Sequence, residues 1–86
     1  MISKMTGKSK TIFDEKYRDF VADMVHQRKS INMTQRELAK KLGTSHCYVA
    51  RIETHERRID LVESVAMMRA LEMSDDQIIG EIKKLM

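Results

Sequence analysis

Apolar residues recur along this chain at helical spacing in five segments, and the polar stretches between them carry helix-start signals. Phe13, Tyr17, Phe20, Val21, Met24 and Val25 repeat at that spacing, with Asp14, Glu15, Asp19 and Asp23 elsewhere around the wheel; a first helix is predicted from about residue 13 to Lys29. Residues 1–10 show no such period and hold three lysines and no acid, the pattern of a flexible basic arm over residues 1–12. Thr34-Gln35-Arg36-Glu37 is a capping box, flanked by Met33 and Leu38 as a hydrophobic staple. A second helix therefore starts at Gln35, and Gly43 supplies the left-handed residue that ends it. Thr44 or Ser45 can cap a short third helix whose apolar face is Val49 and Ile52. Asp60-Leu61-Val62-Glu63 opens a fourth, with Leu61, Val62, Val65, Ala66, Met68 and Leu71 expected toward the core. Ser74-Asp75-Asp76-Gln77, with Met73 and Ile78 as its staple, opens a fifth carrying Ile78, Ile79, Ile82 and Leu85. The fold class expected is all-α: one compact five-helix domain over residues 13–86.

Composition supports helices and narrows the setting. The chain has 86 residues, no proline and 42% apolar content. A domain of this size buries only ~60% of its unfolded surface, so a partner subunit would add stability. No apolar run approaches the ~20 residues needed to cross a bilayer, and the start lacks an apolar signal core, so a cytoplasmic protein is expected. One cysteine cannot form an internal disulfide and fits a reducing compartment. Net charge is +3, but its distribution is uneven. Residues 1–58 hold thirteen Lys or Arg against seven Asp or Glu, net +6, and residues 59–86 hold three against six, net −3. A basic front suits a polyanion, whereas an acidic C-terminal end would be repelled from it. Mild asymmetry of this kind is also common as ordinary solvated charge.

The chemistry concentrates between Gln35 and Thr54. Two helices meeting across a short turn need a small residue where they touch, a glycine where the chain reverses and branched side chains pointing inward; Ala39, Gly43, Val49 and Ile52 meet those needs. What remains on the outer face of the third helix is His46, Cys47, Ala50, Arg51 and Thr54, a polar strip able to reach base edges. Lys40, Lys41, Arg57 and Arg58 lie on either side of that strip in sequence; each taken singly is more often solvated surface than phosphate contact, but their placement around the strip favours phosphates, and Arg57 and Arg58 are read as the backbone contacts.

Thr34-Gln35-Arg36-Glu37-Leu38-Ala39-Lys40-Lys41-Leu42-Gly43, followed by Ser45, Tyr48-Val49 and Arg51-Ile52-Glu53, closely resembles the lambda-repressor-like helix-turn-helix regulators of the Cro, phage-repressor or XRE type. The likeness spans about residues 14–80, with the helix-turn-helix at about 35–54. Glu56 to Glu63 is similar to the segment that follows the reading helix in compact controller proteins of restriction-modification systems. The resemblance implies phosphate contacts from Gln35 and Thr44, base contacts from Ser45, His46, Cys47 and Arg51, and a backbone or base contact from Tyr48. It also implies a buried ion pair between Arg28 and Glu53. Where the family has Asn-Gly or Ser-Gly after the reading helix, this chain has Thr54-His55, a departure that bears on the turn there.

These readings lead to a sequence-specific transcriptional regulator of double-stranded DNA, bacterial or phage in type. A homodimer on a palindromic operator is expected, held through residues 60–86 by Met67, Met68, Ile78, Ile79, Ile82 and Leu85. The alternative is an antitoxin that binds both DNA and a toxin protein. No enzyme is expected, because the chain shows no acid pair, catalytic triad or phosphate loop. His26, His46 and His55 lack zinc-like spacing with Cys47, so no metal, cofactor or small-molecule ligand is expected. Cys47, without a resolving partner, reads as a small inert side chain rather than a redox switch. The eight methionines read as pliable core, some of them paving the dimer contact.

Overall fold

In the computed structural model residues 2–86 are described, with side chains from Asp14 onward, and these residues form helices α1 (Ile2–Ser30), α2 (Gln35–Leu42), α3 (His46–Glu53), α4 (Leu61–Ala70) and α5 (Asp75–Lys84), with no strand. The fold is all-α, as the spacing of apolar residues implies. α1 begins well before the expected residue 13, so the backbone of residues 2–12 continues the helix instead of forming an irregular arm. Its physical basis is that this stretch lacks proline, and one interior glycine, Gly7, costs a helix only ~1 kcal/mol. Phe13 and the arm's lysines lie outside the described side chains.

Local chemistry sets the helix starts. Thr34, Asp60 and Ser74 each accept a hydrogen bond from the amide three residues on, and Glu37, Glu63 and Gln77 reach back to the cap amide. Glu37 consequently sits below the usual glutamate range, held there first by the Thr34 amide.

Four helices end in one backbone device. Asn32, Gly43, His55 and Glu72 all adopt positive φ, at 57°, 72°, 66° and 65°. In each case the next amide bonds a carbonyl five residues back: Met33 to Arg28, Thr44 to Ala39, Glu56 to Arg51 and Met73 to Met68. This is the Schellman closure, which glycine fits without strain and asparagine tolerates. The Thr54-His55 departure therefore leaves the turn intact, with His55 left-handed and its ring edge-on to Tyr17 at 6.3 Å. Glu72 has only an exposed pairing with Lys41 at 3.3 Å to set against its strain. Glu72→Gly is expected to raise stability by about 0.5–1 kcal/mol, part of the relieved strain being lost to glycine's greater unfolded entropy. Urea denaturation of the two proteins checks this, and a destabilised variant would refute the strain argument.

The core draws on every helix: Phe20, Val21 and Met24 from α1, Leu38 and Ala39 from α2, Val49 and Ile52 from α3, Met67 and Met68 from α4, then Leu71, Met73 and Ile78. This corrects two expectations. Met67, Met68 and Ile78 are buried within their own chain at 3%, 0% and 6% exposure, so they cannot form a dimer contact. Ile82 also packs partly on the core. Leu61 and Val62, expected inside, are exposed. The inward face of α4 runs Ser64, Met67, Met68, Leu71; Ser64 can occupy it because its hydroxyl donates to the Asp60 carbonyl at 2.8 Å.

α5 is tied to α1 by Lys84, which bonds Asp23 at 3.0 Å and Glu81 at 3.3 Å. Burial raises the Asp23 carboxyl, but the bonds from Lys84 and Glu81 bring it below its ordinary value. Burial, and then the facing Asp23, push Glu81 up.

Candidate nucleic-acid interface

Residues 43–45 turn the chain from α2 into α3. Gly43 is needed there for its backbone conformation, since a Cβ would meet nothing within 4 Å. Ser45 caps α3, its hydroxyl accepting from the Tyr48 amide at 3.3 Å. Val49 and Ile52, both 0% exposed, bind the inner face of α3 to the core. Opposite them Cys47, Arg51 and Thr54 are exposed, and His46 and Ala50 are half-buried. The Thr54 hydroxyl turns back to its own helix, donating to the Ala50 carbonyl at 3.0 Å. Arg51 has no side-chain partner among the described residues and is free to extend. The outer strip read from the sequence is thus a solvent-facing surface on a helix whose other side is fixed.

Behind the start of α3 lies a partly buried polar chain. Arg28 Nε donates to Glu53 Oε2 at 2.7 Å and its Nη2 to Oε1 at 3.0 Å, while Nη1 donates to the Met33 carbonyl at 2.8 Å. Gln35 Nε2 donates to the same Glu53 Oε1 at 2.7 Å, and Gln35 Oε1 lies 3.0 Å from His46 Nε2. The ion pair therefore joins α1 to α3 and, through Gln35, orients His46, the first residue of α3. Gln35, assigned to a phosphate by resemblance, has its amide engaged inside the protein. Thr44 lines a surface cleft with Leu42, Tyr48, Glu63 and Ala66.

The two arginines after α3 are held by partners that the sequence did not reveal. Arg57 forms two bonds to Glu63, at 3.3 and 3.1 Å, and lies 4.7 Å from the centre of the Tyr48 ring. Arg58 lies 4.2 Å from the Tyr17 ring centre and 3.6 Å from Asp14. Both remain substantially exposed, at 42% and 68% of their side chains, so each can face an anion from a set position. Glu63 is lowered, first by the Arg57 bond and then by the Asp60 amide. Its grip on Arg57 is complete above the ordinary glutamate range and weakens as pH falls below it. Burial, followed by the Glu63 charge, raises the Tyr48 hydroxyl. Tyr17 also accepts from the Ile59 amide at 3.2 Å, fixing the segment that carries both arginines.

Residues 26–78, from the second half of α1 to the start of α5, match a family profile described as helix-turn-helix. The chain belongs to the helix-turn-helix family. As a member of its Cro and phage-repressor type it is a DNA-binding regulator. No curated protein and no solved structure matches the chain. Among the described residues no helix is long and apolar enough to cross a membrane, and no cluster of His, Cys, Asp and Glu could hold a metal ion. In this helix-turn-helix protein the matched span contains the whole partly buried chain from Arg28 to His46 and both clamped arginines.

Proposed function

We propose that this helix-turn-helix protein acts in the cytoplasm as a homodimeric, sequence-specific regulator, most simply a repressor, that places α3 in the major groove of a palindromic operator. The observation that carries the reading is the contrast across α3: Val49 and Ile52 sealed in the core, Cys47 and Arg51 turned outward, with His46 half-exposed at the helix start. Arg51 would pair with a base edge. Arg57 and Arg58, held at the end of the same helix, would meet phosphates. Self-association rests on α5 and the residues after it, where Ile79, Leu85 and Met86 are exposed at 49%, 39% and 89%. Two copies joined there would set their α3 helices about one DNA turn, ~34 Å, apart.

The experiment is Ile79→Asp, with sedimentation and operator binding as readouts. Because Ile79 is outside the core, the variant is expected to keep its helicity, to sediment as a monomer and to bind a selected palindromic site at least tenfold more weakly. Unmutated protein that stays monomeric at micromolar concentration, with and without DNA, would overturn the dimer.

A further inference from the structure

We infer that Gln35 fixes the tautomer of His46, so that His46 presents a hydrogen-bond acceptor to DNA and selects a base with an amino group in the major groove, adenine or cytosine, on the strand it contacts. The inference rests on the DNA-binding reading of α3 and follows hydrogen-bond direction through the partly buried chain. Glu53 faces the Arg28 guanidinium, which only donates, and therefore serves as the acceptor at the root. A carboxylate oxygen must receive from Gln35, so the Gln35 amide nitrogen, 2.7 Å away, points to Glu53 and its carbonyl oxygen points the other way. That oxygen lies 3.0 Å from His46 Nε2 and can only accept, so Nε2 carries the hydrogen. In a neutral imidazole the remaining nitrogen is then an acceptor. Nδ1 has no partner among the described residues, and His46 is the first, half-exposed residue of α3. An acceptor there finds its complement in adenine N6 or cytosine N4, whereas guanine O6 and N7 and thymine O4 offer only lone pairs.

The test uses the whole protein at about pH 8. Nitrogen-15 spectra of the free protein should show His46 with its hydrogen on Nε2, and Gln35→Met should lose that bias. Binding-site selection with wild type and His46→Ala identifies the base pair that depends on His46. Adenine or cytosine should be enriched there, and a probe whose selected base lacks its exocyclic amino group should bind wild type about fivefold more weakly, the weight of one hydrogen bond. Gln35→Met should flatten the preference at that position while leaving others in place. A hydrogen on Nδ1, guanine or thymine at the His46-dependent position, or indifference to the missing amino group would each overturn the inference. So would a His46→Ala protein with unaltered preferences, and in that case DNA binding itself still stands. Enrichment of no sequence at all would instead remove the DNA-binding reading on which the inference rests.

Discussion

Glu53→Ala is expected to cost about 3–5 kcal/mol of folding stability, because it strands a buried guanidinium. The Arg28 and Glu53 side chains are 10% and 12% exposed. Without Glu53, Arg28 keeps only the Met33 carbonyl, and Gln35 loses the acceptor that orients its amide. The charge cannot be shed, since arginine does not deprotonate in proteins. Replacing both partners by apolar residues, Arg28→Met with Glu53→Leu, should cost much less, for the penalty lies in leaving one charge unpaired more than in losing the pair's attraction. Urea denaturation followed by circular dichroism measures both variants. A change below ~1 kcal/mol for Glu53→Ala would mean that water reaches the pair. The double variant is also expected to bind DNA less selectively despite its better stability, because nothing then fixes Gln35 against His46.

Much of this fold is legible because its signals are local. The boxes at Thr34, Asp60 and Ser74 need only four consecutive residues, and each forms with both of its bonds. Gly43 is equally plain, since glycine advertises a left-handed backbone. His55 and Glu72 take the same conformation without any such signal; there the packing of the next element decides, and intrinsic preference yields by ~1–2 kcal/mol. The inward face of α4 was hidden for a related reason. Leu61 and Val62 look like core residues, yet Ser64 occupies the inner position once its hydroxyl is satisfied within its own turn. At the candidate site the outer residues of α3 could be read from helical spacing alone. Their supports could not: Tyr48 and Glu63 hold Arg57, and Tyr17 and Asp14 hold Arg58, through pairings whose sequence separation varies from six residues to more than forty. Such contacts exist only after α1, α3 and α4 have come together.

Neighbouring residues on α3 should give opposite phenotypes. Ile52 is 0% exposed and packs among Val21, Met24, Leu38 and Leu71, beside a narrow cleft that these residues line. Ile52→Ala is expected to destabilise the protein by about 2–5 kcal/mol through lost burial and an enlarged cavity, and Ile52→Val by only about 0.5–1.5 kcal/mol. Its effect on DNA should be indirect: bound complex declines as the folded fraction falls, while the preferred sequence stays the same. Arg51, one position earlier, is exposed, and its side chain has no hydrogen-bond or ion-pair partner among the described residues. Arg51→Ala should therefore shift stability by no more than about 0.5 kcal/mol. Paired bidentately with guanine, however, it would contribute about 1–3 kcal/mol of discrimination, so its removal should weaken operator binding roughly five- to 150-fold and relax preference at one base position. Thermal unfolding and binding-site selection on the same three variants separate the effects. Altered base preference in Ile52→Ala, or an unchanged site in Arg51→Ala, would show that α3 does not face the groove in the orientation its buried side requires.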